Sequence, residues 1–347
     1  MEKIEKNKFE LRNISLSRGV LFGIATIWIV FFHSGLLNFE TFIVSQKIIE
    51  VINLIRNMGN CGVDIFLALS GLGLYFSFSK NSEILHFYKK RLIRILPSVI
   101  IIVVIYYGIM GNITLKQYLN RIFLLSFFTD KDYNFWYFSL IIVLYLIYPF
   151  IHIAIKKFDI KALLFFTIGI LIFNGLLRRY NNQAYEMYEI ALTRLPVFFI
   201  GVFLGKKVYE EKKISKKWIY LFLTIFIAIP ILFYFNLFEK HFFIKRYLYC
   251  PYSLSIIFLV ADLKQKKNII YRFLIWIGTY SMEIYLIYEN LARIVNEKMN
   301  IIHFEDKSYI SFYIFILILT IAFAINLKNI CNEIKDKVLI KNNSWQY

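Results

Sequence analysis

Two ionisable residues lie inside apolar runs near the start of the chain: His33 in GVLFGIATIWIVFFHSGLLN and Asp64 in CGVDIFLALSGLGLYFSFSK. A basic cluster of Lys89, Lys90, Arg91 and Arg94 follows the second run. A carboxylate within about 20 apolar residues costs roughly 2.5–3.5 kcal/mol on insertion scales, so Asp64 belongs against protein or in a wet cavity rather than in lipid. His33 lies about five residues inside the end of its run and Asp64 about five inside the facing end of the next, so two antiparallel neighbouring helices would bring them to one depth. A carboxylate beside an imidazole fixes its tautomer and stabilises the imidazolium, which is what a general base requires. A hydrogen-bonded packing role for His33 stays open beside that reading. Arg91 and Arg94, three apart, share one helix face, and their forked donors suit phosphate. An interfacial helix on an anionic leaflet would carry the same pattern, with Ile84, Leu85, Tyr88, Leu92 and Ile95 dipping into the membrane.

The elements that must position these groups are membrane helices. Of the 347 residues 59% are hydrophobic and 19% aromatic, with a mean hydropathy of +0.59, and apolar runs long enough to span a bilayer recur along the chain. The fold class is all-α, a multi-pass integral membrane helical bundle of roughly ten transmembrane helices. The predicted spans are 19–38, 59–79, 95–111, 134–155, 161–177, 195–205, 218–236, 247–262, 272–291 and 308–327. The span 195–205 is short for a crossing and is expected to be tilted, broken or re-entrant. Tails at 1–18 and 328–347 flank a membrane domain over 19–327. The first apolar run has no small-residue cleavage site, which favours a retained span over a signal peptide.

The net charge of +18 raises the question of nucleic acid, and its distribution answers it. With the N-terminus cytoplasmic, 27 of the 41 Lys and Arg fall in the tails and loops of that side or on the first residue of a span entering from it. This is the positive-inside bias, with both termini cytoplasmic, and no nucleic-acid partner is expected. The three cysteines are far apart and there is no CxxC or His-rich tract, so neither a disulfide framework nor a metal site is indicated.

Other residues stand out less. Trp136 and Tyr137, at the start of NFWYFSLIIVLYLIYPFI, read as an interfacial aromatic belt, with stacking on a sugar as the sharper alternative. The stretch RRYNNQAYEMYEIALTRLP gathers Arg178, Arg179, Glu186, Glu189 and Arg194 in a predicted outer loop that could line a polar acceptor site or be simply solvated. The loop KKVYEEKKISKK is a solvated charge run. Glu283, in IWIGTYSMEIYLIYENL, falls near the predicted bilayer midplane and should be buried and paired, with Glu289 nearer the outside.

GVDIFLALSG followed by FYKKRLIRILP resembles the signature of the acyltransferase type 3 family, multi-pass membrane O-acyltransferases that move acyl groups, usually acetyl, from coenzyme A onto sugars and similar acceptors. The resemblance points to His33 as the essential histidine ending the first span. The family arginine in its commoner spacing falls on Phe22 here. Arg18, fifteen residues before His33 and about 22 Å from it along a helix, is the substitute candidate. TRLPVFFIGVFLG resembles a family element that sets Arg194 above its neighbours, and the WY of Trp136 and Tyr137 matches another. SMEIYLIY resembles the family's SxxIYLxH, with Tyr288 where the histidine stands.

The resemblance implies His33 and Asp64 as catalytic residues. It implies Arg18, Lys90, Arg91 and Arg94 as holders of the coenzyme A phosphates, and Trp136, Tyr137, Arg194 and Glu283 as acceptor-side residues. No permanently bound cofactor is implied; acetyl-CoA is a donor substrate, membrane lipids surround the protein, and the acceptor is a glycan or lipid-linked glycan in a bacterial-type cell membrane. Two other readings remain: a transporter with an intramembrane His33, Asp64 and Glu283 relay, and a non-catalytic glycan-assembly factor.

Overall fold

In a bilayer every backbone N–H and C=O must find an internal partner, so apolar runs of this length fold as helices. The computed structural model describes residues 7–34, 45–111, 113–238, 242–263, 268–299 and 308–343. Residues 35–38 of the first predicted span, and 1–6 and 344–347 of the predicted tails, lie outside the described residues. In chain order the helices are α1 Arg12–Leu16, α2 Arg18–Phe32, α3 Gln46–Met58, α4 Gly62–Lys80, α5 Ile84–Met110, α6 Leu115–Ile122, α7 Ser126–Thr129 and α8 Trp136–Phe158. They continue as α9 Ile160–Tyr180, α10 Asn182–Leu192, α11 Leu195–Tyr209, α12 Lys217–Tyr234, α13 Phe242–Asp262, α14 Ile269–Thr279, α15 Ser281–Met299 and α16 Ser308–Asn343. Two short strands, β1 Lys8–Glu10 and β2 Lys213–Ser215, pair antiparallel.

Among the described residues eight helical stretches are long and apolar enough to cross a membrane: 46–80, 84–110, 133–158, 160–180, 182–209, 217–234, 243–262 and 311–337. The chain is an all-α multi-pass membrane protein. The first and ninth predicted spans correspond instead to shorter apolar helices, α2 and α14. At 1.5 Å per residue these measure about 22 Å and 16 Å, against a hydrocarbon core of about 30 Å. The predicted span 272–291 is cut at Thr279–Tyr280, where the Thr279 hydroxyl donates to the Trp276 carbonyl at 2.6 Å and a new helix begins at Ser281. Hydroxyl side chains that bond nearby backbone are a common way to end a helix. Conversely, the amphipathic stretch and the third predicted span form one helix, α5, which runs straight through Pro97. The short span 195–205 lies whole within α11, which follows α10 after a turn over Thr193 and Arg194; the two together make the apolar stretch 182–209, so the predicted loop 178–194 is mostly helix.

The chain divides into two compact units. Unit one comprises the described residues up to Phe32, 45–82 and 147–279; unit two comprises His33 and Ser34, 83–146 and the residues from Tyr280 on.

Unit one is knitted by glycines that let backbones touch, the small-residue packing typical of membrane helices. A Cβ on Gly201 would run into the Ala68 carbonyl, and one on Gly71 would stand 2.6 Å from the Phe198 carbonyl oxygen, which locks α4 to α11. A Cβ on Gly23 would strike the Leu274 carbonyl, and one on Gly278 the Gly19 carbonyl, so α2 and α14 are held equally closely. At one end of this unit the β1–β2 pair joins the N-terminal segment to the 206–217 loop, with Glu10 and Lys213 2.8 Å apart. At the α8–α9 turn Asp159, at a positive φ of 52°, accepts from Lys206 at 2.8 Å and Lys207 at 2.7 Å.

Unit two gathers α5, α6, α7, the first half of α8, α15 and α16. Polar contacts tie it: Tyr107 donates to Asp132 at 2.8 Å, Arg121 pairs with the same carboxylate at 3.1 Å, and the Ser98 hydroxyl lies 3.1 Å from the Cys331 sulfur.

Candidate active site

In unit one Asp64 is the third residue of α4, buried, in the first helical turn where the helix dipole favours a negative charge. Its Oδ1 lies 3.5 Å from Nε of Arg194, also buried, at ion-pair rather than hydrogen-bond distance. Arg194 stands at the cap of α11, where Pro196 starts the helix, and its other donors are spoken for. Nη1 donates to the Ile190 carbonyl at 2.6 Å and Nη2 to Asn60 Oδ1 at 2.5 Å. One turn earlier on α10, buried Glu189 accepts from Arg246 Nη2 at 3.1 Å. Arg246 also acts electrostatically on Asp64 and Arg194, and Tyr249 hydrogen-bonds Asn60. The result is a cluster of two acids and two bases without net charge, the form in which buried ions are tolerated.

Arg18 opens α2 in the same unit. Its guanidinium sits beside Gly73, where a Cβ would stand 2.7 Å from Nη2, and lies 5.8 Å from the ring of Phe22. The guanidinium thus reaches alongside the residue that holds the commoner position of the family arginine.

In unit two His33 is the first residue after α2 and is half-buried. The charges that act on it are those of Glu289 and Arg293. Glu289 is buried, accepts from Arg293 Nη2 at 3.1 Å one turn along α15, and is hydrogen-bonded by the Tyr285 hydroxyl. Trp136 is buried, and Tyr137 sets its ring edge-on to Tyr285 at 5.9 Å. Asn134 donates to Asn290 at 3.0 Å, and Tyr288, in the place of the family's histidine, is buried with its hydroxyl 3.3 Å from that of Tyr313. A tyrosine hydroxyl here titrates far above physiological pH in any ordinary setting, so it offers hydrogen bonds where a histidine would also offer a charge.

On α5, Lys90 and Arg94 are exposed, and half-buried Arg91 holds its guanidinium 5.6 Å from the Phe87 ring. Glu283 is buried near the start of α15, and Lys328 and Arg94 are the cations whose charges act on it. Lys328 itself lies over the Tyr280 ring at 4.8 Å.

The structure therefore brings together Asp64 and Arg194, which sequence reasoning singled out separately, and brings Glu283 into the field of Arg94. It places a different acid, Glu289, in the electrostatic reach of His33. Glu289 with Arg293 four residues later is a signal visible in the sequence as an ion pair on one helix face. Arg246, Asn60 and Tyr249 carried no such signal, because only the fold sets them beside Arg194. No curated protein and no solved structure matches the chain. Residues 21–328, from the first turns of α2 into α16 and so through both polar clusters, match the family described as the acyltransferase domain, and the chain is a member of that acyltransferase type 3 family.

Proposed function

We propose that this membrane acyltransferase moves an acetyl group from acetyl-CoA to a hydroxyl of a cell-surface polysaccharide or its lipid-linked precursor. The host is a bacterial-type cell membrane, with both termini cytoplasmic. The observation that carries the reading is His33 with the buried Glu289 carboxylate acting on it, at the histidine to which the family pattern points. His33 takes the proton of the acceptor hydroxyl as the oxygen attacks the thioester carbonyl; the C–S bond breaks, and the coenzyme A thiolate leaves and regains the proton. Glu289 stabilises the transient imidazolium, and Arg293, 3.1 Å away, holds that carboxylate in place. Asp64, engaged by Arg194, stays the second proposed catalytic carboxylate. Lys90, Arg91 and Arg94 bind the donor's phosphates, and Arg18 is the candidate for the family arginine. Glu283, in the field of Arg94, belongs with that donor side, whereas Trp136 and Tyr137 shape the acceptor side around Glu289.

Mass spectrometry of surface glycans from cells carrying the wild-type gene, no gene and His33→Ala tests the reading. Loss of acetyl groups in both altered strains is expected. Acetyl content unchanged by His33→Ala would favour an assembly factor, and failure of the purified protein to bind acetyl-CoA would favour a transporter.

A further inference from the structure

Unit one contains a cleft of about 700 Å³ beside the Asp64–Arg194 cluster, bounded by α3, the end of α12 and the first turns of α13. Its size lies within the range of about 300–1,000 Å³ typical of small-ligand sites.

One wall of the cleft is α3. Glu50, Asn53 and Asn57, at helical spacing on one face, line the cleft, while Ile48, Val51 and Ile55 on the opposite face are exposed. Glu50 and Asn57 are themselves exposed, and the buried residues of α3 are Ile49 and Met58, so the polar side chains line an open cleft. The helix is fixed in that rotation by Trp28, whose indole N–H donates to the Ile55 carbonyl at 2.7 Å, and by Gly59, where a Cβ would stand 2.5 Å from the Trp28 carbonyl oxygen.

The facing wall is cationic. Lys245 and Arg246 line the cleft near the start of α13, whose first turn holds no acid, so the helix dipole adds to their charge. Arg246 is matched by Glu189, but Lys245 makes no ion pair among the described residues; its Nζ lies 5.6 Å from the Phe233 ring. Phe233 and Tyr249, rings 5.4 Å apart and edge to face, form an aromatic corner between the two walls.

These parts fit one kind of ligand. An amide carries donors and an acceptor side by side, which suits neighbouring hydroxyls, and Glu50 adds a further acceptor for them. An aromatic corner packs against the C–H face of a sugar ring. An anion is what Lys245, without an ion pair among the described residues and near a helix N-terminus, would hold. We propose that the cleft binds an acidic sugar unit, its carboxylate or phosphate at Lys245 and its hydroxyls at Glu50, Asn53 and Asn57. It lies on the face that the charge asymmetry assigns to the outside, where a glycan acceptor would arrive. The assignment of this sugar as the acceptor rests on the proposed function; its binding does not.

The test uses the detergent-purified full chain and titration calorimetry with two probes that differ only in charge, cellobiouronic acid and cellobiose. The acidic disaccharide is expected to bind at least about tenfold more tightly, with a Kd near or below about 1 mM. Lys245→Gln should erase that preference, and Asn57→Ala should weaken both sugars alike, each in protein that melts as the wild type does. Equal affinity for the two sugars, no binding of either, or a preference that survives in Lys245→Gln would overturn the proposal, as would displacement of the acidic sugar by phosphatidylglycerol but not by further uronate. Acetyl-CoA is titrated into the same preparation. Acetyl-CoA binding without sugar binding sinks the cleft proposal and leaves the acyltransferase reading standing, whereas sugar binding without acetyl-CoA binding sinks the donor assignment and leaves the cleft.

Discussion

In unit one Asp64 and Arg194 face each other at 3.5 Å, and Glu189 and Arg246 complete a balanced set of four charges. In unit two Glu289 holds Arg293 at 3.1 Å, and the half-buried imidazole of His33 lies in the field of that pair. The first cluster is made of carboxylates and guanidinium groups matched in number; the second adds an imidazole, which can take up and return a proton. Fixed, compensated charge organises structure, and a titratable group beside a buried carboxylate does proton chemistry. Loss of the proton step should therefore trace to unit two, and the largest loss of stability to the charge cluster of unit one.

The largest expected effect follows from that division. His33→Ala should lower acetyl transfer by about a thousandfold, within the range of about 10²–10⁴ for losing a general base, while the protein accumulates and melts normally. Glu289→Gln keeps the shape but loses the charge, and should cost roughly ten- to a hundredfold in turnover. The double variant should be little worse than His33→Ala alone, because residues that act as a unit are non-additive. Losses that multiply in the double variant would separate Glu289 from His33. A turnover loss in Asp64→Asn that vanishes in the His33→Ala background would return the partnership to Asp64.

The next effect is on folding. Arg194→Gln leaves Asp64 buried without its cation, and breaking such a pair typically costs about 3–5 kcal/mol. Asp64→Asn alone should destabilise by less, since Arg194 retains Ile190 and Asn60 as acceptors. The pair Asp64→Asn with Arg194→Gln should recover much of the loss of Arg194→Gln, a coupling that thermal melts of purified protein would read. Equal melting of Arg194→Gln and wild type would mean that the cluster carries no structural weight.

A smaller contrast tests the packing that holds those charges. Gly201→Ala would drive a methyl into the Ala68 carbonyl and is expected to cost about 1–3 kcal/mol. Gly108, in α5 of unit two, has nothing within 4 Å of a built Cβ. Gly108→Ala should therefore be neutral or stabilising by up to about 1 kcal/mol through helix propensity. If both glycines tolerate alanine equally, close backbone approach is not what holds α4 to α11.

Much of this architecture is legible in the sequence, because the cost of unsatisfied backbone in lipid makes apolar runs helical almost without regard to neighbours. The same independence of context explains what is not legible. Pro97 reads as the start of a span, yet the helix continues through it, and the run 272–291 reads as one span, yet hydroxyls near Thr279 divide it. Hydropathy and the presence of a proline do not by themselves mark either outcome. Asp64 and Arg194 each stand out as a charge in or beside an apolar run, but their pairing follows from the α4–α11 glycine seam. His33 stands out too, whereas its neighbour Glu289 sits among other helix-face charges and is distinguished only by burial.

The smallest expected effect concerns a charge at the edge of unit one rather than inside it. Burial at the α8–α9 turn pushes the Asp159 carboxyl up, but hydrogen bonds from Lys206 and Lys207 outweigh it, and the group titrates below its usual value. A carboxyl depressed on folding contributes stability that is fully present above its unfolded value, near pH 4, and lost as pH falls through the lower folded value. Asp159 is substantially exposed, so solvent screens the gain to less than about 1 kcal/mol. Asp159→Asn should then lower the melting temperature by a degree or two at pH 7. The gap from wild type should narrow as the pH is brought down through the acid range and the wild-type carboxyl loses its charge as well. A gap that stays constant from pH 7 to 3 would show that the turn gains nothing from the charge of Asp159 and depends only on its hydrogen-bonding shape.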